Sequence, residues 1–483
     1  MRLPAALLLT TALAWPAAAL SPEALWADWQ ETATRLGMTL DADAATEEGA
    51  LVLSDVTTRF DVPVEGGTAA MSFVYDTVRM EPAPGDAVAV LLPGAQATRT
   101  TTTLPDGTVQ TDEGTLETDI VTLVTDEGET RRYVQEGTSY VQTTRTAADD
   151  AAGVPAMIQT ITMRDLSGVT TFTGDTVDSS TTSGPLSVEA RAAEGDLFSV
   201  TYISESLTFE ASGTLPDVAE GDVLATMNAL DLAGRYDLGP ATFKGVSTAE
   251  GAGFSASGTT GAASTAIAFG ADGIRYDGTL DGMTLEVRPD PIPVPFSGRL
   301  EESSFALTIP TRASPQAQAY GLDVALRGVS LSDAVWGLFD PEGRLPRDPA
   351  TIALGVSGTA RVVADLFSEG AMAAALPPIE PEDLSLEELE VTAGGASLTG
   401  SGAVTFPVLA PVPQPVGRID LRLTGGLALL DTLVAMGLVP ADQATFARGM
   451  AGVVARPAGE DALESTIEFT EGGGIVANGL PLR

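Results

Sequence analysis

Apolar residues recur along this chain at two different periods. Trp26, Trp29, Ala33 and Leu36 are spaced as one stripe of a helix. Ser21 before them is an N-cap residue, Pro22 suits the first helical position, and Glu23 puts an acid in the first turn. Arg35 and Gly37 supply a basic last turn and a stop. Two Trp on one stripe can form a binding platform, but such a stripe more often docks a terminal helix onto a sheet. From Leu51 onward the period is two. Met71, Phe73 and Tyr75 alternate with Ser72, Val74 and Asp76, and Ile120, Thr122 and Val124 continue the pattern. So do Ile158, Thr160 and Thr162, then Phe198, Val200 and Tyr202, then Leu207, Phe209 and Ala211. The clearest segments are Leu280 to Val287 and Phe305, Leu307 and Ile309. Each reads as a strand of about five to eight residues, bounded by turns such as Pro105-Asp106-Gly107 and Asp126-Glu127-Gly128. Strict alternation describes antiparallel sheet with one apolar and one polar face. The many Thr between Thr98 and Thr182 often fall on what would be the polar, solvent face.

Helices return sparingly. Asp222 to Leu230 fits one, and Ser332 to Phe339 fits another, capped by Ser332 and stopped before Pro341. Near the end, Leu427 to Met436 carries Leu430, Leu433 and Val434 on one face and stops at Gly437. Pro440-Ala441-Asp442 opens a second helix through Met450, with Phe446 and Met450 expected inward. The short link between them predicts a helical hairpin over 427–451. Gly321 to Gly328 echoes Arg418 to Gly425, and each segment leads into a helix bearing an acid, Asp333 or Asp431. This is either a strand-into-helix unit used twice or a common amphipathic pattern.

The expected architecture is mainly β (α+β): large antiparallel, elongated or curved sheet with a few short helices. Proline runs at Arg288–Pro295, Leu376–Pro381 and Pro407–Pro415 are extended, semi-rigid joints or edge strands. They divide the chain into an N-terminal β-rich region over 20–290 and a C-terminal one over 291–483, or into strands of one continuous domain. Residues 1–19 read as a secretory signal peptide, with Arg2, an apolar run and Ala17-Ala18-Ala19 before the cut. Arg far above Lys, with abundant Ala and Gly, fits a GC-rich bacterial genome, so the expected compartment is the periplasm.

Composition then removes most chemistry. The 483 residues contain no Cys and no His. Disulfides, thiol nucleophiles, imidazole bases and imidazole or thiolate metal ligands are all unavailable. Ser-Lys chemistry would have to use Lys244, the single Lys. Acids outnumber bases 66 to 25, a formal charge of −41, and the bases are scattered, with Arg131-Arg132 the one adjacent pair. Nucleic acid is excluded as a partner, since it needs clustered cations. With so many carboxylates some pair always lies at glycosidase spacing, while the scarce aromatics (5%) argue against a sugar-stacking cleft. Asp41, Asp43, Glu47 and Glu48 form the best calcium-like cluster but lack the EF-hand spacing, and Asp272-Gly273 and Asp277-Gly278 resemble turns. Gly472-Gly473-Gly474 lies between strands, which is no phosphate cradle. No catalytic, cofactor-binding or metal-binding residue is therefore assigned, and no cofactor.

The last sixty or so residues resemble a known family. The segment Leu427 to Gln443 is followed by Arg448-Gly449-Met450, then Leu463 to Phe469, a glycine turn, and Gly474 to Leu482, with Asn478-Gly479 the most characteristic step. This is similar to the family called domain of unknown function 2125 (DUF2125), found in exported proteins of alphaproteobacteria. The resemblance implies no activity and no site residues. More loosely, the strand–helix–strand end resembles the AsmA-like envelope proteins, which would imply a curved sheet with an apolar inner face. In its own right, Asn478-Gly479 can supply the positive φ of a tight turn, and the hairpin Ser465–Phe469 with Gly474–Ala477 would bury Ile467, Phe469 and Ile475. The functional expectation is a non-enzymatic envelope protein that scaffolds partners or shelters lipid along an apolar sheet face. The alternatives are a carboxylate-dependent hydrolase of envelope polysaccharide and a calcium-stabilised β-rich binding protein.

Overall fold

A computed structural model describes residues 20–64, 67–148, 155–216, 228–248, 253–290, 295–372, 376, 378–408 and 414–483. The segment 1–19 read as a signal peptide, most of the helix expected at 222–230, and parts of all three proline runs lie outside the described residues. The described strands belong to one antiparallel sheet in which each long segment pairs with the next along the chain. The meander starts at Thr39–Glu47, Ala50–Val64 and Gly67–Ala83 and runs to Gln414–Thr424, Ala462–Thr470 and Gly474–Ala477. It passes the proline run near 290 without a break in pairing, since Met283–Pro289 bonds to Phe296–Leu300.

The strands are longer than the sequence pattern predicts. Gly67–Ala83, Thr130–Thr146 and Met157–Thr173 each have 17 residues. Others consist of two collinear halves, such as Thr176–Ser183 with Leu186–Ala192, Phe198–Ser204 with Leu207–Thr214, and Asp231–Leu238 with Ala241–Ser247. The reason is a regular slip in phase. Across the sheet one row of neighbours reads Ser183, Leu207, Leu238, Ala263, Leu280, Ser303. The row beside it reads Leu186, Ser204, Ala241, Thr260, Met283, Leu300. Within each strand the two rows are three positions apart, where unbroken alternation would make them two. Each of these six strands thus slips phase by one residue in the same column. The pairing register stays unbroken across this column because all these strands slip phase together, and the residues between the two rows leave the ladder where the sheet creases. The extra residue also restores the phase, so the apolar set stays on one face through the bend.

The crease keeps its backbone bonds. The N–H of Glu205 donates to Pro240 O at 3.0 Å, Gly239 N–H to Ser206 O at 3.0 Å, and Asp281 N–H to Ala262 O at 2.8 Å. Polar side chains serve the groups that remain. Buried Gln96 accepts from Thr77 N–H at 2.7 Å, and Asp119 accepts from the N–H groups of Thr138 and Ser139 at 2.8 Å each. Further along, Asp55 and Asp165 take positive φ at the same crease (52° and 53°), a conformation Asp tolerates better than most residues.

The leading helix, Pro22–Arg35, forms as its caps predict, with Ser21 Oγ accepting from Ala24 N–H at 3.2 Å. It lies on the apolar face of the first strands. Leu25 and Trp26 pack against Leu51, Leu53, Val78, Met80, Val88 and Val124, the one cluster of fully buried large apolar residues in the described chain. The helix Asp333–Phe339 is capped by Ser332, and the hairpin Gly426–Ala435 with Ala441–Val454 is present. The orientation of the second hairpin helix corrects the sequence expectation. Ala444 is its buried residue, while Phe446 and Met450 are 71% and 48% exposed. Helical spacing identified a stripe but not the side of the helix that meets the sheet. The two echoed segments diverge at their glycines. Gly425 caps a helix, whereas Gly328, also at φ 69°, makes a bulge after which the strand resumes to Leu331.

At the C-terminus, Phe469 pairs with Ile475 and Ile467 with Ala477, as the pattern predicts. Ile467, Phe469 and Ile475 are half-buried rather than enclosed, while Ser465 and Ala477 on the same face are buried, Ser465 against Val454 at the end of the helical hairpin. Asn478 and Gly479 take φ 50° and 86°. The Asn478 amide accepts from Thr466 N–H at 2.9 Å and donates to Val454 O at 2.9 Å, so it ties the helical hairpin to the final strands.

Candidate functional site

Two features stand out: an apolar face without a cover, and a pocket where the covered part ends. Cross-strand partners project to the same side of a sheet. One side therefore carries Phe209, Tyr236, Leu232, Phe269, Ile267, Tyr276, Ile274 and Phe305 in one half, and Val188, Tyr202, Phe243, Leu285, Val200 and Val287 in the other. The opposite side carries Asp178, Glu210, Arg235, Asp277, Glu189, Lys244 and Glu286. The charge is thus carried on the polar face, as alternation implies. Thr does not follow the same rule. Thr98, Thr100 and Thr102 pair with Tyr75, Phe73 and Met71 and so sit on the apolar side, because a run of consecutive Thr must supply both faces.

Beyond the leading helix the apolar side is open. Val200 (47%), Tyr236 (49%) and Ile352 (52%) on it are each about half exposed, and Leu326, Leu354 and Val391 continue the exposed stretch. Extended exposed apolar surface of this kind marks an interaction site more often than chance.

The pocket, about 470 Å³, lies under the C-terminal end of the leading helix. Trp29 and Leu36 from the helix, Leu40, Tyr133 and Phe172 from three strands, and Leu215 form its apolar lining. Trp29 Nε1–H donates to the Tyr133 hydroxyl at 3.1 Å, and the Tyr133 and Phe172 rings meet edge to face at 5.6 Å. Burial raises the Tyr133 phenol above its ordinary pKa, against the lowering effect of the Trp29 donor. The rim is charged. Arg131 is held by Asp28 and Asp126, and Arg35 by Asp175 at 2.5 Å. Glu129 also lines the pocket and has no ion-pair partner among the described residues. Sequence reasoning missed this site. Trp29 was legible, but Arg131, Tyr133 and Phe172 arrive there through strand pairing, with no local signal.

Two further concavities carry charged side chains. One of about 550 Å³ on the charged face is bordered by Asp178, Glu210, Arg235 and Asp277, with Arg235 forked onto Asp237 at 2.7 Å. Another, about 380 Å³, holds the Arg418–Asp420 and Arg422–Glu464 pairs. The residues singled out from sequence are dispersed. Lys244 is exposed on the polar face opposite Thr201 and Ser257. Asp41 and Glu47 lie on the edge strand against Arg59 and Arg79. Gly472 and Gly473 make the expected turn, at φ 88° and 83°. Among the described residues no three His, Cys, Asp or Glu side chains gather as a metal site, and no helix is long and apolar enough to cross a membrane.

The fold and pocket define a protein built as one creased, one-sided antiparallel sheet with a helix over one end. The chain belongs to the family described as "Uncharacterized protein conserved in bacteria (DUF2125)", whose match spans residues 156–482. No curated protein and no solved structure matches it significantly.

Proposed function

We propose that this is an exported periplasmic envelope protein, without a catalytic role of its own, that shelters acyl chains or similar elongated apolar ligands on its open face. The observation that carries this reading is the uncovered apolar side itself. Its large residues stay on one side of the sheet across the crease, yet remain partly exposed from Val200 to Val391, with Val200, Tyr236 and Ile352 about half exposed. Leaving that surface in water forgoes roughly 25 cal/mol for each Å² that a ligand could cover. The small residues between the rings, such as Gly234, Gly245 and Ala256, keep the surface low enough for a chain to lie across it. A carboxylate-based hydrolase draws no support from the pocket, where Arg131 already bridges Asp28 and Asp126.

The test is to purify the full chain without detergent, extract it with organic solvent and identify bound lipid by mass spectrometry. Stoichiometric acyl lipid is expected. Repeated recovery of lipid-free protein that also fails to take up a fluorescent fatty acid would defeat the proposal.

A further inference from the structure

We propose that the pocket under the leading helix receives the ammonium-bearing head of an amphiphile, whose apolar chain runs on along Val177, Leu232, Phe269 and Ile274. This rests on the apolar-ligand reading and adds the class of head group. Three independent observations point to a cation. First, the chain has only 4 Trp, 7 Tyr and 15 Phe, and Trp29, Tyr133 and Phe172 meet in this one pocket. Aromatic faces attract ammonium groups, quaternary ones above all. Second, the charge balance is negative. Asp28, Asp126 and Glu129 line it beside two guanidiniums, Arg131, held by Asp28 and Asp126, and Arg35, held by Asp175 outside the lining. Third, the C-terminal end of a 14-residue helix lies over the same place, with Thr32, Ala33 and Leu36 in the lining, and its Thr32 and Ala33 carbonyls bonded to the N–H groups of Leu36 and Met38. That end carries partial negative charge. An anionic head would meet all three as repulsion.

The apolar continuation is set by register. Phe172 in the pocket pairs with Val177, and that row continues through Gly213 to Leu232, Phe269 and Ile274 on the open face. A head at Glu129 therefore leaves its chain on the surface that the function reading needs covered.

Calorimetric titration of the full chain at low salt tests this with three probes: octyltrimethylammonium, octanoate and tetramethylammonium. Octyltrimethylammonium should bind about tenfold or more tighter than octanoate, and Glu129→Gln and Trp29→Leu should each weaken it by about threefold or more. Tetramethylammonium should compete more weakly at the same site. Glu129 lies in an exposed turn, so Glu129→Gln should leave the thermal midpoint in place even if Trp29→Leu disturbs the helix. Equal or tighter binding of octanoate, or affinity unchanged in Glu129→Gln and Trp29→Leu, overturns the head-group assignment while leaving the apolar-ligand reading intact. Tetramethylammonium binding as tightly as the octyl compound overturns the amphiphile and makes the ligand a small soluble ammonium compound. Failure of both octyl probes together with lipid-free protein would instead remove the function reading beneath it.

Discussion

The hydroxyl of Ser204 donates to the carbonyl of Gly239, 3.1 Å away on the next strand, from a position with no solvent exposure. It also lies 2.9 Å from Ser206 O, but that carbonyl already accepts from Gly239 N–H, so the one hydroxyl proton is needed at Gly239 O. The bend is therefore sealed by side chains chosen for it. Ser204→Ala should cost about 1–2 kcal/mol, the penalty for a buried carbonyl without a donor. Hydrogen exchange at the amides of Glu205 and Gly239 should quicken in step. An unchanged unfolding midpoint with unchanged exchange would show that water replaces the hydroxyl without loss.

Acid should loosen the same line at another strand. The Asp119 carboxyl is held below its ordinary pKa, first by the Thr138 hydroxyl and then by the Ser139 N–H. A depressed folded pKa means the contribution is complete above the unfolded value, near 3.9, and is lost as pH falls through the lower folded value. Buried Asp340 behaves alike, lowered chiefly by the Leu345 N–H. The melting temperature should fall as pH is taken from about 5 to 3. Asp119→Asn should start lower at neutral pH and lose less on acidification. A parallel pH profile for the two proteins would count against this.

The open face makes an unusual forecast about a charge. Val200 lies on the apolar side but is 47% exposed, so Val200→Glu should cost only about 1 kcal/mol. The same change sets a carboxylate in the path of a bound chain and should sharply reduce the lipid recovered per protein. Full retention of lipid by a stable Val200→Glu protein would place the ligand elsewhere.

Elements whose cause is local were legible in the sequence. Ser21 with Pro22 fixed the start of the first helix, Asn478-Gly479 its turn, and alternation the two faces of the sheet. The length of the strands was not legible, because each crease inserts one residue and makes a single strand read as two short ones. Contacts distant in sequence were equally hidden. Asp461 caps the helix at Leu427 and Ala428 with both carboxylate oxygens at 3.2 Å, and nothing near either segment announces it. The pocket belongs to the same class, since Trp29 and Tyr133 meet only after the intervening strands have paired. Phe446 was misread for a related reason: an amphipathic stripe says that a helix has a wetter and a drier side, but not which side finds a neighbour.

The meander order has a consequence for how the molecule comes apart. Each long segment bonds mainly to the one before and the one after it in the chain, and among the described strands the sheet does not close on itself. Such an array is nearly one-dimensional, like a solenoid, with stability accumulating as a sum of neighbour terms. Its ends can fray while the middle holds, and unfolding need not be a single cooperative step. The fully packed cluster beneath the leading helix then acts as the anchored end, and the rest of the ladder zips from it.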